Sequence, residues 1–383
     1  MQNLIYLDNN ATTCLADEVR EAMAPYQGAL YANPSSPCTF AQGVSAAVSR
    51  AREQVAGLIG AEPGELVFTS GGTESNNAAI LAALKWAPEK KHIVTTAVEH
   101  PSVRKTCEVW GEEGFRVSFV PVDSEGRLDL DALEDALCDA TALVSVMTAN
   151  NETGVLLPVA EVATRAKARG IPVHTDAVQA AGKVLLSVRD TRADLLSMSA
   201  HKLHGPKGIG ALYVRGGRRI QPLLVGGDHE RGQRAGTLNV AGIVGMGAAA
   251  EVVGRDLEGV GARVRALRDD LQRMLVEGLP EARVAGGEAE RLPNTLAVLI
   301  PGIEVETVLA LLDMRGICCS SGSACSVGAA EPSHVLAAMG LTGAATQAAL
   351  RFSLSRYTTG EEVESAARVV VQVARELREA EKA

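Results

Sequence analysis

The 383-residue sequence holds no apolar run approaching the roughly 20 residues of a membrane-crossing helix, so it is expected to make no membrane contact. It has no basic excess either. Its 46 acidic against 37 basic side chains leave a net charge of −9, which sets nucleic acid aside as a direct ligand. The opening MQNLIYLDNNATT lacks the basic and apolar regions of a secretory leader, so a cytoplasmic, reducing compartment is expected. Seven cysteines, an odd number, argue further against a full disulfide framework. Internal repeats and low-complexity tracts are also missing. What is present, 46% apolar and 22% charged residues, fits a globular protein with a sizeable core.

Short apolar runs alternate with helix-like stretches. The candidate strands are ELVFTS (65–70), HIVTTAV (92–98), RVSFVPV (116–122), ALVSVMTA (142–149), IPVHTDA (171–177), DLLSMSA (194–200) and GALYVR (210–215). Strands alternating with helices predict an α/β fold: a mainly parallel sheet covered on both faces, with ligands beyond the carboxyl ends of its strands. After about residue 240 the texture changes. One long helical region running to EGL is expected, then a smaller α+β part with LPNTLAVLIPG, RFSLSR and a final amphipathic helix. The expected division is a large domain over 16–255 and a small one from 1–15 and 256–383.

Three segments carry the chemistry. In SMSAHKLHGPKG, Lys202 follows an apolar strand and precedes a glycine-rich return, the setting of a partly buried lysine able to form a Schiff base. In VHTDAVQ, Asp176 ends a strand, where a carboxylate could hold a pyridine nitrogen protonated. In FTSGGTESNN, two glycines lead into a helix whose first amides attract phosphate.

These segments, with YLDNNATT, NPSS, EHPSV, ANNETG, RAGTLN, SSGSAC, EPSHVL and RFSLSRYTT, occur in order from residue 6 to residue 359. Together they resemble the motifs of the group I cysteine desulfurases of the NifS/IscS type, in the class V aminotransferase family. The resemblance implies fold type I of the pyridoxal 5'-phosphate (PLP) enzymes, with a seven-stranded mixed sheet. It implies a homodimer that converts L-cysteine to L-alanine and hands the sulfur to an iron–sulfur scaffold or another acceptor protein. By the same resemblance Lys202 would carry the cofactor. Ser199, His201, Gly72 and Thr73 would bind its phosphate, joined by Thr237 from the other subunit. Asp176 and Gln179 would hold the ring nitrogen and phenolic oxygen, and His100 would stack on the ring and move protons. Asn151 and Arg351 would hold the substrate carboxylate. A selenocysteine lyase or another fold type I enzyme is the alternative. The pathway served, whether iron–sulfur assembly, nitrogenase supply or tRNA thiolation, is left open.

The segment ICCSSGSACSVG (317–328) holds three thiols. Adjacent Cys318 and Cys319 with no second pair make a poor zinc site, so no metal is expected, and both are read as strand-end core. Cys325 sits among small residues, which suit a catalytic loop, and the resemblance makes it the sulfur-accepting nucleophile. Cys38 stands where relatives place a histidine after NPSS. It is either a small filler or a thiol near the site mouth that meets the sulfur.

Overall fold

The computed structural model describes residues 4–321, 333–341 and 349–382. Strand β1 (Ile5–Tyr6) comes first, followed by helices α1 (Asp17–Met23) and α2 (Thr39–Ile59). The main sheet is then laid down as β2 (Leu66–Thr69), β3 (His92–Thr96), β4 (Arg116–Val120), β5 (Thr141–Ser145), β6 (Val173–Asp176), β7 (Leu195–Ser199) and β8 (Gly210–Val214). Helices α3 (Gly72–Trp86), α4 (Pro101–Glu112), α5 (Leu130–Ala136), α6 (Val159–Ala168) and α7 (Val188–Thr191) alternate with them. The spatial order is β2-β8-β7-β6-β5-β3-β4, and only β8 runs against the rest. All seven expected strands are therefore present in one mainly parallel sheet.

Successive strand residues point to opposite faces, and both faces are apolar because helices cover both. Leu66 and Phe68 of β2, Leu196 and Met198 of β7, and Ala211 and Tyr213 of β8 pack with α1 and α2. Their neighbours Val67, Leu195, Leu212 and Val214 pack with α3 and α4. Helix α8 (Val240–Gly254) joins the first cluster. Its glycines serve close packing: a Cβ on Gly247 would lie 2.6 Å from the Ala51 Cα of α2.

The single long helix expected after residue 240 is instead two. Arg255 turns to extended backbone, Asp256 adopts a left-handed φ of 54°, and α9 (Leu257–Gly278) starts anew. The physical reason is that the two helices serve different cores. Helix α8 packs on the main sheet, whereas Val264, Leu271 and Leu275 of α9 belong to a separate cluster. That cluster also takes in β10 (Thr295–Leu299), α10 (Val305–Met314) and β12 (Ala349–Ser353). It includes α12 (Gly360–Lys382), which buries Val363, Ala366, Ala367, Val370, Val373 and Ala374 at helical spacing. Strand β9 (Arg283–Val284) lies beside β10, and β11 (Ile317–Cys318) pairs in parallel with β1. Helix α11 (His334–Ala338) completes the described elements.

The edge strand β2 is closed by side chains. The Leu66 carbonyl accepts from Arg52 (2.8 Å) and Arg231 (2.6 Å), and the Phe68 amide donates to Glu230 (2.9 Å). Arg52 meets Glu230 through both guanidinium nitrogens, at 2.6 and 3.0 Å, and Glu230 is buried. This pair holds Glu230 and Arg231 in left-handed backbone. Removing one partner of such a buried pair strands the other charge. Glu230→Ala is therefore expected to lose about 3 kcal/mol or more of unfolding free energy in denaturant titration. Arg52→Met added to Glu230→Met should cost less than the two single losses summed.

Candidate active site

Five strand ends converge on one cavity of about 680 Å3. Gly72, Thr73, His100, Asn151, Asp176, Gln179, Ser199, His201, Lys202 and Arg351 all line it. Those from the main sheet follow the carboxyl ends of β2, β3, β5, β6 and β7. Arg351 comes from β12 in the small sheet, so the cavity lies between two cores.

The turn after β2 runs into the first turn of α3, where the unpaired amides of a helix start collect. A Cβ on Gly72 would lie 2.7 Å from the Val178 side chain, so only glycine fits there. Ser199 and His201 close the same corner from β7. Burial, aided by Lys202, lowers His201 to about 4, so its imidazole is neutral at physiological pH.

Asp176 Oδ2 accepts from Asn76 (2.7 Å) and Oδ1 from the Val178 amide (2.9 Å). Asn76 also donates to Ser102 Oγ (2.8 Å), and the Ser102 amide donates to His100 Nδ1 (3.1 Å). With Nδ1 accepting, the proton of neutral His100 resides on Nε2. Burial lowers the His100 pKa, with Asp176 opposing and Lys202 adding to the effect.

The Lys202 ammonium donates to the Ala11 carbonyl (2.8 Å) and to the Asn10 carbonyl. Gln179 Nε2 donates to that same Asn10 carbonyl (2.9 Å). Arg351 pairs with Asp8 (2.6 Å) and donates to the Asn151 carbonyl (3.1 Å). Two expected residues are not in this group. Thr237 is exposed and does not line the cavity, and Cys325 lies outside the described residues. Cys38, at the start of α2, is exposed and also does not line the cavity. Cys319 packs on the small-sheet core, and burial pushes its thiol up to about 12, whereas Cys318 is partly exposed and lies outside that apolar cluster.

Sequence reasoning missed Asp8, Asn10, Asn76 and Lys183, and two buried carboxyls. Glu152 accepts from Ser333, and burial raises its pKa. Glu99, next to His100, accepts from Thr96 (2.9 Å) and the Met147 amide (2.8 Å) through Oε1, while Oε2 is buried with no partner among the described residues. The signal available for Asp8 and Asn10 was the polar run LDNN directly after a short strand.

Burial pushes Glu99 up to about 8. A carboxyl with a raised folded pKa keeps its proton after the unfolded chain has lost it, so it costs stability increasingly as pH rises from about 4.5 to 8. Glu99→Gln keeps the accepting oxygen and removes the titration. Its advantage over wild type in thermal unfolding should be small at pH 4.5 and reach on the order of 4 kcal/mol by pH 8.

A family model described as aminotransferase class-V matches residues 5–365. A cysteine desulfurase of Nostoc sp. is 50% identical over 376 residues, 98% of this chain and 94% of its own. The cysteine desulfurase NifS of Azotobacter vinelandii is 48% identical over 375 residues, covering 98% and 93% of the two chains. Among solved structures, a NifS-like protein superposes with a TM-score of 0.90 at 38% identity, over 97% of this chain and 99% of that one. By full-length likeness in both sequence and fold, the chain belongs to the class-V aminotransferases, among their PLP-dependent, NifS-like cysteine desulfurases.

Proposed function

We propose that this chain converts L-cysteine to L-alanine, with Cys325 taking up the sulfur as a persulfide for delivery to an acceptor protein. The observation that carries this reading is the meeting of the Lys202 amine, the Asp176 carboxylate and the Arg351 guanidinium on one cavity. The cavity suits PLP. Its donor set offers helix amides and polar side chains at one corner, and a carboxylate fixed by two hydrogen bonds at another. Bound there, PLP would supply a protonated ring that withdraws electrons from Cα of the amino acid joined to it.

The chain's own groups then take these parts. The start of α3 with Gly72 and Thr73, and with Ser199 and His201, holds the phosphate. Asp176 keeps the ring nitrogen protonated and Gln179 donates to the phenolic oxygen. Arg351, steadied by Asp8, and Asn151 orient the substrate carboxylate. Lys202, released when the substrate replaces it, removes the α-proton. The Cys325 thiolate bonds to the substrate sulfur as the Cβ–S bond breaks and the electron pair stays on carbon; protonation at Cβ and return of a proton to Cα give alanine. His100, neutral and fixed through Ser102, is assigned to moving these protons.

A homodimer is part of the reading. Exposed Leu223, Leu224 and Val225 form an apolar strip, and the Leu224 carbonyl accepts from the Ala235 amide, two residues before Thr237. A second copy covering that strip would bring Thr237 to the partner's phosphate. We assign residues 16–255 to a large unit and 1–15 with 256–383 to a small one. The break at Arg255–Asp256 and the separate apolar clusters support that division. Among the described residues no helix is long and apolar enough to cross a membrane, and a cytoplasmic setting with an iron–sulfur scaffold or another acceptor fits the cysteine chemistry.

Purified with PLP, the protein should be yellow and release alanine from L-cysteine. Lys202→Ala should still bind the cofactor but lose about 10³-fold or more in turnover, the scale of a lost general base. Undiminished turnover would overturn the assignment. Cys325→Ala should bind cysteine and yield almost no alanine. Labelled substrate sulfur recovered on Cys318 or Cys319, and not on Cys325, would move the acceptor role to those thiols.

A further inference from the structure

One partly buried ionisable group near the cavity has no part in this scheme. Lys183 is partly buried, and its Nζ donates to Gln179 Oε1 (2.7 Å) and Asn10 Oδ1 (3.1 Å). No carboxylate is among these partners. The charged groups acting on it are Lys202 and Arg351, and it acts in turn on His201 and His204. Burial first, and then those two cations, hold its amine well below the ordinary lysine value. A lysine kept in such a place costs folding free energy, so it is retained for something other than stability.

The geometry identifies what that is. Gln179 and Lys183 are four residues apart on a helical turn, in which the Lys183 amide donates to the Ala180 carbonyl (3.0 Å). Lys183 takes the Gln179 carbonyl oxygen, while the Asn10 carbonyl takes the Gln179 NH2 (2.9 Å). A side-chain amide has two faces of opposite polarity, and a flip would set two oxygens against each other at Asn10. We propose that Lys183 is a positioning residue that locks the Gln179 amide so that its NH2, not its carbonyl, is presented where the phenolic oxygen of PLP binds. This rests on the assignment of Gln179 to that oxygen. A donor there stabilises the ionised oxygen and so lowers the pH at which the Lys202-linked cofactor loses its proton. A carbonyl presented in its place raises that pH.

The test uses holoenzyme without cysteine and follows the pH midpoint of the cofactor's visible absorbance. Lys183→Met keeps the unbranched chain, one atom shorter, and removes the donor. It should raise the midpoint by about one pH unit, a tenfold change in the proton equilibrium, and weaken PLP binding about tenfold. The thermal midpoint of the apoenzyme should not fall, because an apolar chain replaces a partly buried amine. In a Gln179→Leu background the same substitution should move the midpoint no further. An unmoved midpoint in Lys183→Met, or an undiminished shift in the Gln179→Leu background, overturns the proposal. Borohydride reduction followed by peptide mapping checks the underlying reading separately. Cofactor found on a lysine other than Lys202 overturns the site assignment itself, whatever the two midpoints are.

Discussion

The site is organised by the backbone stretch Asp8 to Ala11, which gathers three basic side chains, Arg351 buried and Lys183 and Lys202 partly buried. Arg351 pairs with the Asp8 carboxylate, Lys183 donates to the Asn10 side chain, and Lys202 donates to the carbonyls of Asn10 and Ala11. The Asp8 carboxylate receives Arg351, while carbonyl and amide dipoles, which count for more in a low-dielectric interior, receive the two lysines. The result is a cavity with surplus positive character, suited to a ligand with a phosphate and a substrate with a carboxylate. The same stretch fastens the two sheets together. The Asn10 side chain also donates to Thr295 on β10 (2.9 Å) and to the Asn151 carbonyl (3.2 Å), and its amide donates to Ser353 on β12 (2.8 Å).

Opposite those cations stands a line of fixed polar groups. Asp176, Asn76, Ser102 and His100 form an unbroken series of hydrogen bonds across the end of the sheet. Its members come from β6, α3 and α4, so each element's position is set by packing and not by the site itself. Deeper in the sheet His174 bridges Ser145 (2.8 Å) and Ser197 (3.0 Å) on the neighbouring strands, fully buried and lowered to about 4 by burial. It is a satisfied neutral histidine that sets strand spacing beneath Asp176. Pre-positioned groups of this kind need little rearrangement during the reaction.

Much of this was legible in the sequence because its signals are local. The seven strands are short apolar runs bounded by turns. Lys202, Asp176 and the Gly72 turn each stand at the end of such a run, where an α/β sheet binds ligands. What was not legible is long-range. Asn10 gains its meaning from partners between 141 and 343 residues away, and no periodicity reports those contacts. Lys183 reads as a surface lysine until Asn10 and Gln179 are folded over it. The break between α8 and α9 was hidden because both segments have helical composition and only the change of core partner forces Asp256 out of the helix. For Cys325 the basis is the sequence alone, its small-residue setting together with the resemblance, since the segment lies outside the described residues.

The pairing of β1 with β11 has a consequence for how the protein is made. Ile5 and Tyr6 meet Ile317 and Cys318, and Asp8 and Asn10 meet Arg351 and Ser353, all contributed by the last quarter of the chain. During synthesis residues 5–10 precede these partners by more than 300 residues and have none of them until that late segment has emerged. The main sheet has all seven of its strands by Val214, well before that moment. The nascent chain therefore passes through a stage with its large core formed and its cation-holding stretch still undocked. The groups assigned to the cofactor are thus in hand before Arg351 and Asp8 meet, and the substrate-carboxylate side of the cavity is the last part to be assembled.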